Sequence, residues 1–140
     1  MHRAGIADLV HRYALNIRSR TVAKCAELFT DDAVFEHWQA DPSGNAPSVL
    51  KRKHIGRDGI IESLISSQPP SGMRLFPMIH NLLIDVRDHE AESSCVMVAA
   101  VMPGGRQILG EYRDRFRYDS RWRFALRSYT QCGDLGQGAP

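Results

Sequence analysis

Tyr112, Asp114, Phe116 and Tyr118 occupy every second position of the run GEYRDRFRYD, and Glu111, Arg113, Arg115 and Arg117 stand between them. A period of two marks a β-strand with one buried and one wet face. The charged set belongs in water, so the aromatic set belongs inside. That assignment carries Asp114 onto the apolar face. A buried carboxylate must be paired, hydrogen-bonded or protonated, because desolvating a lone charge costs several kcal/mol or more. The chain is therefore expected to build a polar spot on the inner side of a β-sheet.

The rest of the chain supplies the sheet and its cover. Ile6, Leu9, Val10, Tyr13, Ala14 and Ile17 follow helical spacing and predict a helix over about 4–19. Ser19 or Thr21 is placed to cap a second helix with Val22, Cys25, Ala26, Leu28 and Phe29 as its stripe, ending in a turn at Asp31-Asp32. AVFEHW reads as a short strand, 39–47 as a loop, and 48–55 as a minor strand. A third helix is expected over 56–67, broken by QPPSG. Long strands follow at 73–87, 90–102, 107–118 and 121–132, joined by connections short enough for antiparallel hairpins. Helices followed by long antiparallel strands specify an α+β domain: a curved antiparallel sheet wrapped around N-terminal helices, with an internal pocket. One domain over 1–132 is expected, with 133–140 as a flexible tail.

Several function classes lose support here. The chain has 140 residues and a net charge of +2, too mild to argue for nucleic acid. The arginines of 111–127 alternate along strands, which suits a solvated face or a subunit contact. The three cysteines form no Cys-x-x-Cys pair and suggest free thiols in a reducing compartment, so the cytoplasm is expected. No apolar run reaches the roughly 20 residues that cross a bilayer, and no membrane partner is expected. His37, His54, His80 and His89 lack ligand-type spacing, so no metal is expected; nor is any other cofactor, since Gly-rich phosphate loops are missing.

The segments IADLVHRYALNIRSR, CAELFTDDAVFEHW, GRDGIIESL, MIHNLLIDV and GEYRDRFRYDSRWRFALR resemble, in order and spacing, the SnoaL-like branch of the nuclear-transport-factor-2-like superfamily. Ketosteroid isomerase, scytalone dehydratase and limonene epoxide hydrolase share that fold. The resemblance implies a cone-shaped, cystatin-like roll with a pocket at its open end, and a homodimer. It implies less about reaction, because the fold hosts many chemistries. Dehydratases of the family share a tyrosine, an aspartate five residues later, and a histidine on the first long strand. Tyr13 and His80 match the tyrosine and the histidine; the aspartate position holds Arg18, and a second aspartate position holds Thr21.

The candidate catalytic set is thus His80, Asp114, Tyr13 and Arg18. His80 is read as inward-pointing with Met78, Leu82 and Ile84, as a proton carrier or a core histidine. Asp114 is either a tuner of His80, or itself a base, or half of a salt bridge to Arg123, Arg127 or Arg18. Arg18 is either a helix-terminal surface arginine or an inward guanidinium binding an anion. Tyr13 is a core aromatic or a donor to a substrate oxygen. Phe35, His37, Trp38, Phe76, Met78 and Tyr112 are the expected pocket lining. The first functional expectation is a cofactor-independent lyase or isomerase acting on a hydrophobic cyclic substrate such as a steroid, terpenoid or polyketide. The alternatives are a non-catalytic ligand-binding or assembly module, and an epoxide hydrolase or polyketide cyclase.

Overall fold

The computed structural model describes residues 2–136. Helix α1 (His2–Arg18) buries Ile6, Leu9, Val10, Tyr13 and Ala14, the stripe its spacing predicts. The second helical segment is a 3-10 helix (Val22–Leu28) with Val22 and Cys25 buried. Strand β1 (Phe29–Gln39) and strand β2 (Val49–Ile55) follow, then helix α2 (Arg57–Ser66). The four long strands are β3 (Arg74–Arg87), β4 (Glu90–Met102), β5 (Arg106–Asp119) and β6 (Arg121–Gly136).

One six-stranded sheet results, in the order β2-β1-β6-β5-β4-β3. The four long strands pair antiparallel through their hairpins, as expected. The sheet is nevertheless mixed, because β1 runs parallel to β6. β1 also starts earlier than expected and absorbs the Asp31-Asp32 turn. Both acids find arginines: Asp31 meets Arg57 at 2.8 Å and Asp32 meets Arg117 at 3.1 Å. The β5 alternation holds, with Tyr112, Asp114 and Phe116 buried and Arg113, Arg115 and Arg117 exposed. Strand β6 runs to Gly136, which pairs with Gln107, so 133–136 belong to the sheet; 137–140 lie outside the described residues.

Two one-residue slips matter for everything below. In β3, His80 pairs with Val96 and Leu83 with Ser94, so Asn81 and Leu82 together face one residue, and Asn81 takes a φ of 53°. In β6, Phe124 pairs with Phe116 and Leu126 with Arg115, leaving Ala125 as the extra residue. Each bulge inverts which side chains face inward on either side of it.

The core lies between the inner face of the sheet and the helices. Ile6, Val10, Phe29, Ile60, Phe116 and Phe124 are its largest enclosed apolar side chains. Cys25 and Cys95 are free, buried members of the same core. No helix among the described residues is long and apolar enough to cross a membrane.

Candidate functional site

Between the helices and the inner face of the sheet lies a cavity of about 190 Å³. Its walls are apolar: Ile17, Val22, Leu75, Ile79, Met97 and Ile108. Larger hollows of about 640 and 620 Å³ are lined by charged groups including Glu36, Asp85, Glu92 and Arg115. Binding sites are usually mostly apolar with a few placed polar groups, a description only the smaller cavity fits. Among the described residues, no three His, Cys, Asp or Glu side chains are grouped to hold a metal ion.

The two imidazoles and the one guanidinium of the cavity stand on β1 and β2, while Ser63, Ser67 and Gln68 line it from α2 and the turn that follows. His37 and Arg52 are register partners, as are Phe35 and His54, and all four line the cavity. An Arg52 terminal nitrogen lies 3.0 Å from His37 Nδ1. A guanidinium only donates, so Nδ1 is the acceptor and the ring proton of neutral His37 sits on Nε2. Burial, then the Arg52 charge, holds the His37 pKa below its ordinary value. His37 Nε2 is buried without a hydrogen-bond partner in the protein, and so is His54 Nε2. Neighbouring strands place diagonal residues such as these two histidines roughly 7–8 Å apart. Tyr129 packs on His37 at 5.2 Å and on Tyr112 at 5.1 Å, and burial raises its pKa.

Tyr129 is held there by the absence of a side chain opposite. A Cβ on Gly110 would fall 2.3 Å from Tyr129 Cε1 and 2.8 Å from its hydroxyl. Gly110→Ala should therefore lower stability by about 1–3 kcal/mol, the usual range for overpacking, and drive Tyr129 toward His37. Denaturant titrations in wild-type and Tyr129→Ala backgrounds check this. An equal penalty in both would mean that the overlap is not the cause.

Beneath the cavity floor sits a buried ionic centre. Asp114 is 2% exposed and Arg127 0%. Arg127 Nε is 3.5 Å from Asp114 Oδ1, and Ser93 Oγ donates to Asp114 Oδ2 at 3.5 Å. The guanidinium carbon lies 3.5 Å from the Tyr112 ring centroid, 4.2 Å from Tyr13 and 4.6 Å from Phe124. All three guanidinium nitrogens and Asp114 Oδ1 lack hydrogen-bond partners in the protein. Opposite charge and aromatic faces therefore hold the arginine, a contact worth about 2 kcal/mol when desolvated. Burial pushes the Asp114 carboxyl up to about 6, although Arg127 and the Ser93 hydroxyl pull the other way. Burial also raises Tyr13 and Tyr112, so both phenols stay protonated near neutral pH.

The expected site residues divide. Tyr13, Phe35, His37 and Tyr112 line the cavity. Asp114 is inward but lies outside the cavity lining, paired with Arg127 as the salt-bridge alternative anticipated. His80 and Met78 are exposed, and with Phe76 they take the outer phase of β3, while Leu75, Pro77 and Ile79 take the inner one. The bulge at Asn81 is the reason: the inward phase of Leu82, Ile84 and Val86 does not continue back through His80. Arg18 is exposed in the last turn of α1, where the helix dipole favours a cation. Trp38 is absent from the lining and donates to Glu36 at 3.2 Å; a register shift falls between it and His37. Sequence reasoning missed His54, Arg52 and Tyr129. The basic strand LKRKHI carries no motif, and β2 reveals its inner face only through its pairing with β1.

Comparison with known proteins agrees with this architecture. The SnoaL-like domain family matches residues 2–128. Comparison with curated proteins gives no match. Among solved structures, the β subunit of a proposed aromatic-ring-hydroxylating dioxygenase from Novosphingobium aromaticivorans superposes with a TM-score of 0.76 at 15% identity, over 93% of this chain and 88% of that one. A hexachlorocyclohexane dehydrochlorinase, LinA-type3, from Novosphingobium barchaimii gives 0.73 at 17% identity, over 99% and 91%. A proposed scytalone dehydratase from N. aromaticivorans gives 0.71 at 20% identity, over 99% and 89%. At such identities these likenesses speak for the fold alone. With the family match spanning nearly the whole chain, the cone of helices and curved mixed sheet has its place: the protein belongs to the SnoaL-like domain family.

Proposed function

We propose that the chain is a cofactor-independent lyase or isomerase that moves a proton on a hydrophobic substrate with a single ring. The observation that carries this reading is the pair His37 and His54 at one end of an apolar cavity, each with a buried, unpartnered Nε2. His37, neutral and with its proton on Nε2, donates to a substrate oxygen where negative charge develops. His54 takes or returns the proton at carbon. Cavity size limits the substrate. A cavity of roughly 150 Å³ holds benzene, and drug-sized pockets begin near roughly 300 Å³. At about 190 Å³ the site suits one ring and not a four-ring steroid. A homodimer is part of the proposal, with the alternating charges of Glu90, Glu92, Arg113 and Arg115 facing a second copy.

A second reading is favoured by the places of His80 and Arg18, which are exposed and away from the cavity. It makes the chain a ligand-binding or assembly module with a structural Asp114–Arg127 pair. The epoxide-hydrolase reading, which needs carboxylates at the reacting centre, gains nothing from a cavity lined by none among the described residues. Incubation with small ring ketones such as cyclohexanone and 2-cyclohexenone in heavy water separates the first two. Catalysed deuterium incorporation next to the carbonyl, followed by NMR, is the expected result. Binding of those ketones in native mass spectrometry without any exchange would leave the module reading standing.

A further inference from the structure

The charge balance of the cavity narrows its ligand. Its lining includes one guanidinium, Arg52, and two imidazoles, His37 and His54; among the described residues no Asp or Glu lines it. Arg52 is exposed and forms no ion pair with a described carboxylate. One of its terminal nitrogens is engaged by His37 Nδ1, and the rest of its planar fork is uncommitted. All three groups stand on the paired strands β1 and β2, so they gather at one end of the cavity while Leu75, Ile79, Met97 and Ile108 form apolar wall.

We propose that the cavity takes a ring-bearing monocarboxylate, its ring against the apolar wall and its carboxylate on Arg52. This rests on the cavity being the ligand site, as in the function proposed above, and names the class of molecule that site selects. The physical reason is twofold. An arginine fork matches a carboxylate in geometry and charge, and such charge-assisted bonds are roughly twice as strong as neutral ones. A cavity holding only positive or neutral polar groups discriminates against cationic ligands by repulsion as well as selecting anions by attraction. His37 fits the same arrangement, since its Nε2–H donor suits an oxygen of the bound ligand.

Binding of three nearly isosteric probes tests the proposal: benzoate, benzamide and toluene, by calorimetry and by NMR of the histidine ring protons. In the wild type, benzoate should bind about 10-fold or more tighter than benzamide, and should shift the His37 and His54 resonances. Arg52→Gln should bring benzoate to within about 2-fold of benzamide, while Lys51→Gln, one residue along the same edge strand, keeps the preference. Circular dichroism of both variants verifies the fold. Equal binding of benzoate and benzamide, or a benzoate preference that survives Arg52→Gln, overturns the carboxylate assignment and leaves the function proposed above intact. If none of the three probes shifts the histidine resonances, the cavity is not a ring-binding site and both fall. Ketone exchange that fails while benzoate still binds through Arg52 removes the catalytic reading alone.

Discussion

Asp114→Asn should destabilise the protein by about 3–5 kcal/mol, the usual cost of stripping one partner from a buried ion pair. Arg127 then keeps its charge in a fully enclosed site, because a guanidinium does not deprotonate in proteins. The variant also has no carboxyl to titrate there, so the loss should be larger at pH 5, where the wild type still holds a proton on Asp114, than at pH 8. Arg127→Met should behave differently. Without the arginine, the Asp114 carboxyl rises above about 6 and escapes its penalty by taking a proton. Its cost should be clearly smaller at pH 5 than at pH 8. In the wild type the sign is fixed by the same shift. The folded value of about 6 lies above the unfolded value of roughly 3.9, so the folded state binds more protons between them. The Asp114 contribution is fully present below the unfolded value and is lost as pH rises through the folded one. Urea unfolding from pH 4 to pH 8 reads all three proteins. A wild-type stability that climbs with pH over that window, with Asp114→Asn climbing in parallel, would contradict the assignment.

His54→Gln should slow proton exchange on a working ring ketone by about 100-fold or more, the usual scale of general acid–base catalysis. His37→Ala should lose a similar factor, since one removed donor to a developing oxyanion costs about 100-fold or more. The conservative change separates the two roles. A glutamine amide still donates a hydrogen bond but does not carry a proton through a cycle. His37→Gln should therefore retain much of the rate that His37→Ala loses, whereas His54→Gln and His54→Ala should be equally slow. Exchange rates from NMR for the four variants decide it. Retention by His54→Gln with loss in His37→Gln would exchange the roles.

Most of the fold was legible because its signals are local and redundant. The α1 stripe from Ile6 to Ala14, the Tyr112–Asp114–Phe116 alternation and the short hairpin connections each fix an element from neighbouring residues. The parallel pairing of β1 with β6 joins ends of the chain that share no local signal, and it escaped notice. The site was less legible for a related reason. Alternation carries a side-chain assignment along a strand only until a bulge. One at Asn81 turned His80 outward, and one at Ala125 turned Arg127 inward. Neither Asn81 nor Ala125 announces a bulge in sequence. Asp114 was found because its own strand keeps an even register through the core, and Tyr13 because a helix has no equivalent slip.

The Asp114–Arg127 pair also limits how this sequence is able to change over generations. Losing either member alone is costly, yet two well-packed apolar residues in their place are often no worse than the pair, or better. The paths between those end points run through a poorly folded intermediate, so descendants should keep both charges or have lost both, with few lineages caught between. Tyr13, Tyr112 and Phe124 are drawn into the same bargain, because their rings shelter the guanidinium. Five positions on one helix and two strands are thus tied to a common history, and because Tyr13 and Tyr112 also line the cavity, only the rest of its lining is free to drift toward new ligands.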